Sequence, residues 1–230
     1  MFNVSLYTGD EDLPQGYLIA ENGVYRKVDT GFYTAIVPSS LEAIKKIADP
    51  IVPKVELNLP KIPQKLTWQT KKFFAEVVEK FRAESIVTLC YSREKREYKL
   101  RCPPQNVSYG GINYDRNIRN DPSFLGYDQI GTIHSHCDFA AFHSGTDDSD
   151  EITFDGIHLT FGHNDQDDFT ISSSLMVSKE RLNIPTSSIL EGVEQDLENG
   201  LFRLIDVNEQ EAEQWSQESA HWIENVTGRC

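Results

Sequence analysis

"QIGTIHSH", residues 129–136, decides how this chain is read. The run is β-prone, and side chains alternate across a strand, so His134 and His136 point to one face. Their Cα atoms then stand about 7 Å apart by strand rise. Two imidazoles side by side suit adjacent ligands of a tetrahedral zinc ion. An H-x-H pair alone equally describes ordinary polar residues on a wet strand face.

Downstream lies "CDFAAFHSGTDDSDE", residues 137–151. Seven residues separate His136 from Ser144, and two separate Ser144 from Asp147. "SGTDDSDEITFDG" is predicted to be a helix, which puts Asp147 on its first turn. There a carboxylate completes a His-His-Asp set and leaves a fourth position open for water, as catalytic zinc sites do. S-x-x-D is also a capping pattern, in which the hydroxyl binds free helix N–H groups. Asp148, Asp150 and Glu151 read as acidic decoration of a helix N-terminus. His143 is placed beside the cleft, and His158 reads as a satisfied structural histidine in a strand.

A water activated at such a site needs a base to take its proton and deliver it to a leaving amine. Glu84 is the candidate, because it ends one helix and opens the strand "ESIVTLCYS". Glu76 and Glu79 have helical spacing and are expected to face solvent. Spacing alone does not separate Glu84 from them.

Around this centre the chain divides into three parts. Residues 1–60 hold short β-prone pieces, an Asn22-Gly23 hairpin turn, a short helix predicted over 39–49, and the Pro-rich connector "PIVPKVELNLPKIPQK". Residues 61–183 open with "TWQTKKFFAEVVEKFRA", where Trp68, Phe73, Phe74, Val77, Val78 and Phe81 recur at helical spacing. Strands follow in "ESIVTLCYS", "EYKLRCPPQ", "QIGTIHSH", "IHLTFGH" and "FTISSSLMVS", with a short strand or bend in "SYGGINYD" and a polar loop over 115–128. Residues 184–230 end in an amphipathic helix carrying Trp215 and Trp222, expected to pack back on the domain. The pattern is α/β or α+β, with one mixed sheet and few helices.

Composition sets limits on function. The 230 residues carry a net charge of −14, from 22 basic and 36 acidic side chains. Such a surface disfavours nucleic-acid binding and suits solubility. No apolar run reaches the roughly 18 residues of a membrane span. The N-terminus shows no basic start followed by an apolar stretch, so a cytoplasmic protein is expected. Cys90, Cys102, Cys137 and Cys230 lack C-x-x-C spacing and are expected to be reduced, mostly buried thiols.

Taken together, Glu84, "HSH" at 134–136, Ser144 and Asp147 resemble E…H-x-H-x7-S-x2-D, the signature of the JAMM (MPN-plus) zinc metalloproteases. The likeness covers about residues 64–180. "RCPPQNVS", "GTIHSH", "AFHSGTDDSDE" and "DGIHLTFG" look closest to the bacterial JAB-type branch. The resemblance implies a curved mixed β-sheet flanked by helices, with a small β-rich N-terminal appendage. It implies His134, His136 and Asp147 as ligands of Zn2+, Glu84 as general acid/base, and Ser144 as the donor to a developing oxyanion. It also implies an isopeptidase acting on the C-terminal tail of a ubiquitin-like protein, with E1-like and E2-like enzymes as partners and an antiphage system as a context. Cys137 stands where many eukaryotic members have Pro. Two other readings remain: a non-catalytic MPN scaffold, and a metal-dependent hydrolase of another substrate.

Overall fold

The computed structural model describes residues 3–9, 12–39, 51–118, 121–142 and 151–228. The helix predicted from the aromatic periodicity forms as α1, Gln64–Phe81. Trp68, Phe73, Phe74, Val77 and Val78 are buried, as the spacing requires, but so are Thr67, Gln69, Thr70 and Lys71. Burial runs round more than one face because α1 lies between a sheet and the C-terminal segment. The helix stops at Arg82, which takes a left-handed conformation (φ 50°) and donates its N–H to the Val78 carbonyl at 3.0 Å.

Before α1, β1 (Val4–Leu6), β2 (Gly16–Ala20), β3 (Gly23–Asp29), β4 (Tyr33–Ser39) and β5 (Lys54–Leu57) form a five-stranded sheet in that order. The Pro-rich connector supplies β5, with Pro53 and Pro60 outside it, where an edge strand tolerates proline. This sheet is continuous with the main core: Phe32, Tyr33, Ala35 and Val37 share one cluster with Phe73, Val87 and Phe161. The Phe32 ring meets Tyr91 edge-on at 6.0 Å. The helix expected over 39–49 falls almost wholly outside the described residues.

After α1 come β6 (Ile86–Ser92), β7 (Glu97–Arg101), β8 (Gln105–Ser108), β9 (Gly111–Tyr114), β10 (Asp128–His136), β11 (Gly156–Gly162), β12 (Thr170–Val177) and β13 (Glu180–Asn183). Next are α2 (Thr186–Ile189), β14 (Val193–Gln195), β15 (Phe202–Leu204), α3 (Glu209–Ser219) and β16 (Val226–Gly228). The central sheet has six strands, in the order β13-β12-β11-β10-β6-β7. It is mixed, since β10 and β11 run parallel and the other pairs antiparallel. The architecture is thus mixed α/β, mostly sheet with few helices. The expected single sheet is corrected: the described residues form four, including β14-β15 and β16-β8-β9. β8 was not foreseen, because Pro103-Pro104 ends β7 without ending the extended chain.

Alternation sorts the central sheet into two faces. Val87, Leu89, Ile133, Leu159 and Phe161 join Phe73, Phe74 and Val77 in the core, and the Phe74 and Phe161 rings meet edge-on at 5.8 Å. The neighbours between them, Thr132, His134, His136, His158 and Thr160, fall on the opposite face. The C-terminal segment packs back on α1, with Trp215 edge-on to Trp68 at 5.8 Å and Trp222 to Phe73 at 5.6 Å. β16 then adds alongside β8 in parallel. No helix among the described residues is long and apolar enough to cross a membrane.

Candidate active-site cavity

The H-x-H pair sits at the end of β10, where His134 pairs with Ile86 of β6 and with Thr160 of β11. Both imidazoles belong to buried residues, 5% and 4% exposed, and their ring centres are 5.2 Å apart. Ahead of β6, the Ser85 N–H donates to Ser135 Oγ at 2.8 Å, and the Ser135 N–H donates to the Ser85 carbonyl at 2.8 Å. Continuing that antiparallel register by one more residue puts Glu84 across from His136, on the face of the imidazoles. The Glu84 N–H is held by the Ser108 carbonyl at 3.0 Å.

Glu84, His134 and His136 line one cavity of about 560 Å3. The structure thus brings together three of the five residues singled out from the sequence. Ser144 and Asp147 lie outside the described residues, as do His143 and most of the predicted acidic helix. Among the described residues, no group of three or more His, Cys, Asp or Glu side chains is arranged to hold a metal ion.

One wall of the cavity is aromatic. Phe142 meets the His136 ring edge-on at 4.7 Å, and Tyr109 meets Phe139 at 5.2 Å. Tyr109, Phe139 and Phe142 are each about half exposed, at 53%, 45% and 53%. They form an apolar rim on the cavity together with Gly110, Gly111, Ile112 and Tyr114. The chain reaches Phe142 by turning sharply at Cys137 (φ 45°) and crossing over Gly162. A Cβ on Gly162 would stand 2.2 Å from the Ala141 nitrogen and 2.3 Å from the Phe139 carbonyl oxygen, so only glycine lets this segment lie down. The Asn164 N–H then fastens the turn by donating to the Cys137 carbonyl at 2.8 Å.

Cys137 is buried and is not among the residues lining the cavity. Burial pushes its thiol pKa up, and the carboxylates of Asp138 and Glu84 push the same way. Cys90 and Cys102 are likewise buried thiols, each pushed up to about 12 by burial. All three are free cysteines, and Cys230 lies outside the described residues.

Two residues depart from, or sharpen, what the sequence suggests. Glu151 is not first-turn decoration: it is 5% exposed and lines the cavity. Its Oε1 stands 3.7 Å from His134 Nδ1 and 3.6 Å from His158 Nδ1, while Arg181 of β13 reaches Oε2 at 2.6 Å. His158 is satisfied at both ring nitrogens, by Thr132 Oγ1 at 2.8 Å and the Phe154 carbonyl at 3.0 Å. It also lines the cavity. The aromatic rim and Arg181 carried no sequence motif that marked them.

No family model matches the sequence. Comparison with curated proteins likewise yields no match. Among solved structures, a protein from Desulfitobacterium hafniense determined in solution is similar at 15% identity and a TM-score of 0.37, over 50% of this chain and 85% of that one.

Proposed function

We propose that this protein is a zinc-dependent peptidase or isopeptidase that cleaves at the C-terminal tail of a ubiquitin-like protein, on an MPN-type fold. The observation that carries the reading is the convergence of Glu84 with His134 and His136 on one cavity. These are the three described positions of the E…H-x-H-x7-S-x2-D pattern. The donor set fits zinc: two imidazoles bound to one tetrahedral ion by bonds of about 2 Å hold their ring centres roughly 5 Å apart, and these stand 5.2 Å apart.

His134 and His136 would hold the ion, with Asp147 as the third protein ligand. Zinc, when bound, supplies Lewis acidity to the scissile carbonyl and to the attacking water. Glu84 takes the proton from that water and passes it to the departing amine. Ser144 donates to the oxyanion as it develops. The buried positions of both histidines keep bulk water from competing for the reacting groups.

Substrate shape is argued from the rim. β9 is the edge strand of its three-stranded sheet and borders the cavity through Gly111, Ile112 and Tyr114. An extended tail that adds to this edge gains main-chain hydrogen bonds and runs past Gly110 and Gly111 toward Glu84. The aromatic rim of Tyr109, Phe139 and Phe142 suits apolar side chains just upstream of small C-terminal residues. A system with E1-like and E2-like enzymes would supply such conjugates, and a bacterial antiphage system is one setting for them.

The test is zinc content together with cleavage of a panel of ubiquitin-like proteins fused at their C-termini to a reporter. Glu84→Gln is expected to retain zinc and lose turnover by at least 100-fold, in the range that general acid–base catalysis contributes (about 100- to 10,000-fold). His134→Ala and His136→Ala are expected to lose zinc. Purified wild-type protein that neither retains nor takes up zinc would exclude the proposal and leave the scaffold reading standing.

A further inference from the structure

We propose that the open edge of β7 is a docking site for an extended acidic segment of a partner protein, which adds to the central sheet as a seventh strand. The groove at this edge shares no lining residue with the cavity of Glu84, His134 and His136, and the inference does not depend on the zinc-hydrolase reading.

β7 is the last strand in the order β13-β12-β11-β10-β6-β7, and β6 pairs with it on one side. Among the described residues, no main-chain hydrogen bond reaches residues 98–101 from the other side. In an antiparallel pair every second residue turns its N–H and C=O away from the partner, so this edge presents main-chain groups ready for another strand. A groove of about 520 Å3 runs along it, and residues 98–102 line that groove in unbroken succession. A groove on one face of the strand would touch alternate residues only, so this one follows the edge. α1 and the C-terminal segment wall one side, through Leu66 and Trp222, and the loop at 121–124 walls the other.

Charge sets the chemistry of the occupant. Residues 61–101 hold 11 of the chain's 22 Lys and Arg side chains but 5 of its 36 Asp and Glu, in a protein of net charge −14. This basic stretch supplies Lys65, Lys99 and Arg101 to the groove. Two of the three are matched: Lys65 pairs with Glu218, and the buried Arg101 reaches Asp115 at 3.3 Å. Asp121, also on the groove, accepts from the Ser123 N–H at 2.9 Å and from its hydroxyl at 2.7 Å. Lys99 Nζ donates to the Ser123 carbonyl at 2.7 Å and lies over the Phe124 ring at 4.3 Å. No ion pair among the described residues includes Lys99. Its charge is met by a carbonyl dipole and a ring face, which leaves it open to a carboxylate. On an added strand, residues across from Lys99 and Arg101 share their face, and the residue between them lies across from Leu100, toward Leu66 and Trp222. An acid–apolar–acid triplet therefore fits, in either strand direction.

The test uses the full chain, 15N-labelled, and a synthetic ten-residue peptide of alternating Glu and Val that carries a fluorophore. This peptide is expected to bind saturably below about 1 mM and to shift the amide resonances of residues 98–101. A peptide of alternating Lys and Val is expected to bind at least about 10-fold more weakly, and so is the acidic peptide toward Lys99→Glu. Two versions of the acidic peptide, N-methylated at its odd or at its even residues, separate strand addition from charge attraction alone. One of them is expected to lose binding, because it cannot give its N–H groups to the edge. That arm alters the probe and not the protein, so a Lys99 variant that fails to fold does not protect the proposal. Absence of binding below about 1 mM, equal binding of the acidic and basic peptides, undiminished binding of both N-methylated peptides, or shifts confined to the cavity of Glu84 and His136 each overturn it. A wild-type dimer that Lys99→Glu converts to monomer assigns the edge to a second copy and overturns it as well.

Discussion

Ser85 and Ser135 hold each other across β6 and β10: the Ser85 N–H donates to Ser135 Oγ at 2.8 Å, and the Ser135 N–H donates to the Ser85 carbonyl at 2.8 Å. Both residues are fully buried, and each is the immediate neighbour of a cavity residue, Glu84 on one side and His134 and His136 on the other. This pair therefore sets the register that places the candidate base against the candidate ligands.

Ser135→Ala leaves the Ser85 N–H buried without its acceptor. The expected loss is about 1–3 kcal/mol of stability, the penalty for stranding a buried donor. Urea unfolding measures it as a lower midpoint at unchanged m. Cleavage is expected to fall further than stability alone explains, because Glu84 loses its fixed position. A midpoint equal to the wild type's would show that the serine pair does not set the register.

Gly162→Ala and Gly110→Ala form a matched pair. At Gly162 a Cβ meets backbone atoms of Ala141 and Phe139 at 2.2 and 2.3 Å, and backbone cannot swing aside as a flexible side chain does. The substitution is expected to cost about 1–3 kcal/mol or more and to lift Phe139 and Phe142 off the rim. At Gly110 a Cβ meets nothing within 4 Å, so stability is expected to change by less than about 0.5 kcal/mol. Thermal unfolding of the two variants side by side checks both, and equal shifts would contradict the crossing at Gly162.

The contrast between these residues shows what sequence alone reveals. The faces of β10 were legible because a period of two fixes them, and α1 was legible because its aromatic spacing leaves no strand alternative. The place of Glu84 was not readable from spacing, since the pairing of β6 with β10 is a long-range event held by Ser85 and Ser135. Only the motif singled Glu84 out from Glu76 and Glu79. Glu151 was misread because acidic residues near a helix start usually face water. No spacing in the sequence separated Glu151 from Asp148 and Asp150. Arg181 comes 30 residues later and reaches Glu151 only because β11, β12 and β13 pair in succession.

Trp222 tests whether the C-terminal segment is part of the core. Its ring is 6% exposed and meets Phe73 of α1 edge-on at 5.6 Å. The Asn225 side chain close by donates to the Cys102 carbonyl at 2.8 Å, tying the segment to the end of β7. Trp222→Ala is expected to cost about 3–5 kcal/mol, as large buried aromatics do. Trp215 is only half-buried and meets Trp68 edge-on at 5.8 Å, so Trp215→Ala is expected to cost less. Chemical denaturation of both variants gives the ordering, and a larger loss at Trp215 would reverse this account.

Lys71 links α1 to the turn that follows β11, and its charge makes that link dependent on pH. Its Nζ donates to the Asn164 and Gln166 carbonyls at 3.0 Å each and sits 5.1 Å over the Phe169 ring. Burial, with Lys72 adding to it, lowers its pKa from 10.5 to about 8, against the opposing pull of Asp167 and Asp165. The folded chain therefore gives up this proton at lower pH than the unfolded chain does. Below about 8 both states are protonated, and the fold bears the full cost of holding the cation. From about 8 to 10.5 the unfolded chain binds more protons, so stability rises with pH through this window. At about 1.4 kcal/mol per pKa unit, the gain is on the order of 3 kcal/mol. Lys71→Met removes the titration and leaves the other groups in place. The unfolding free energy of wild type minus that of Lys71→Met is therefore expected to rise by about 2–3 kcal/mol between roughly pH 7 and pH 10. Urea unfolding at a series of pH values measures this difference. If it stays flat, Lys71 is not a buried cation in the folded protein.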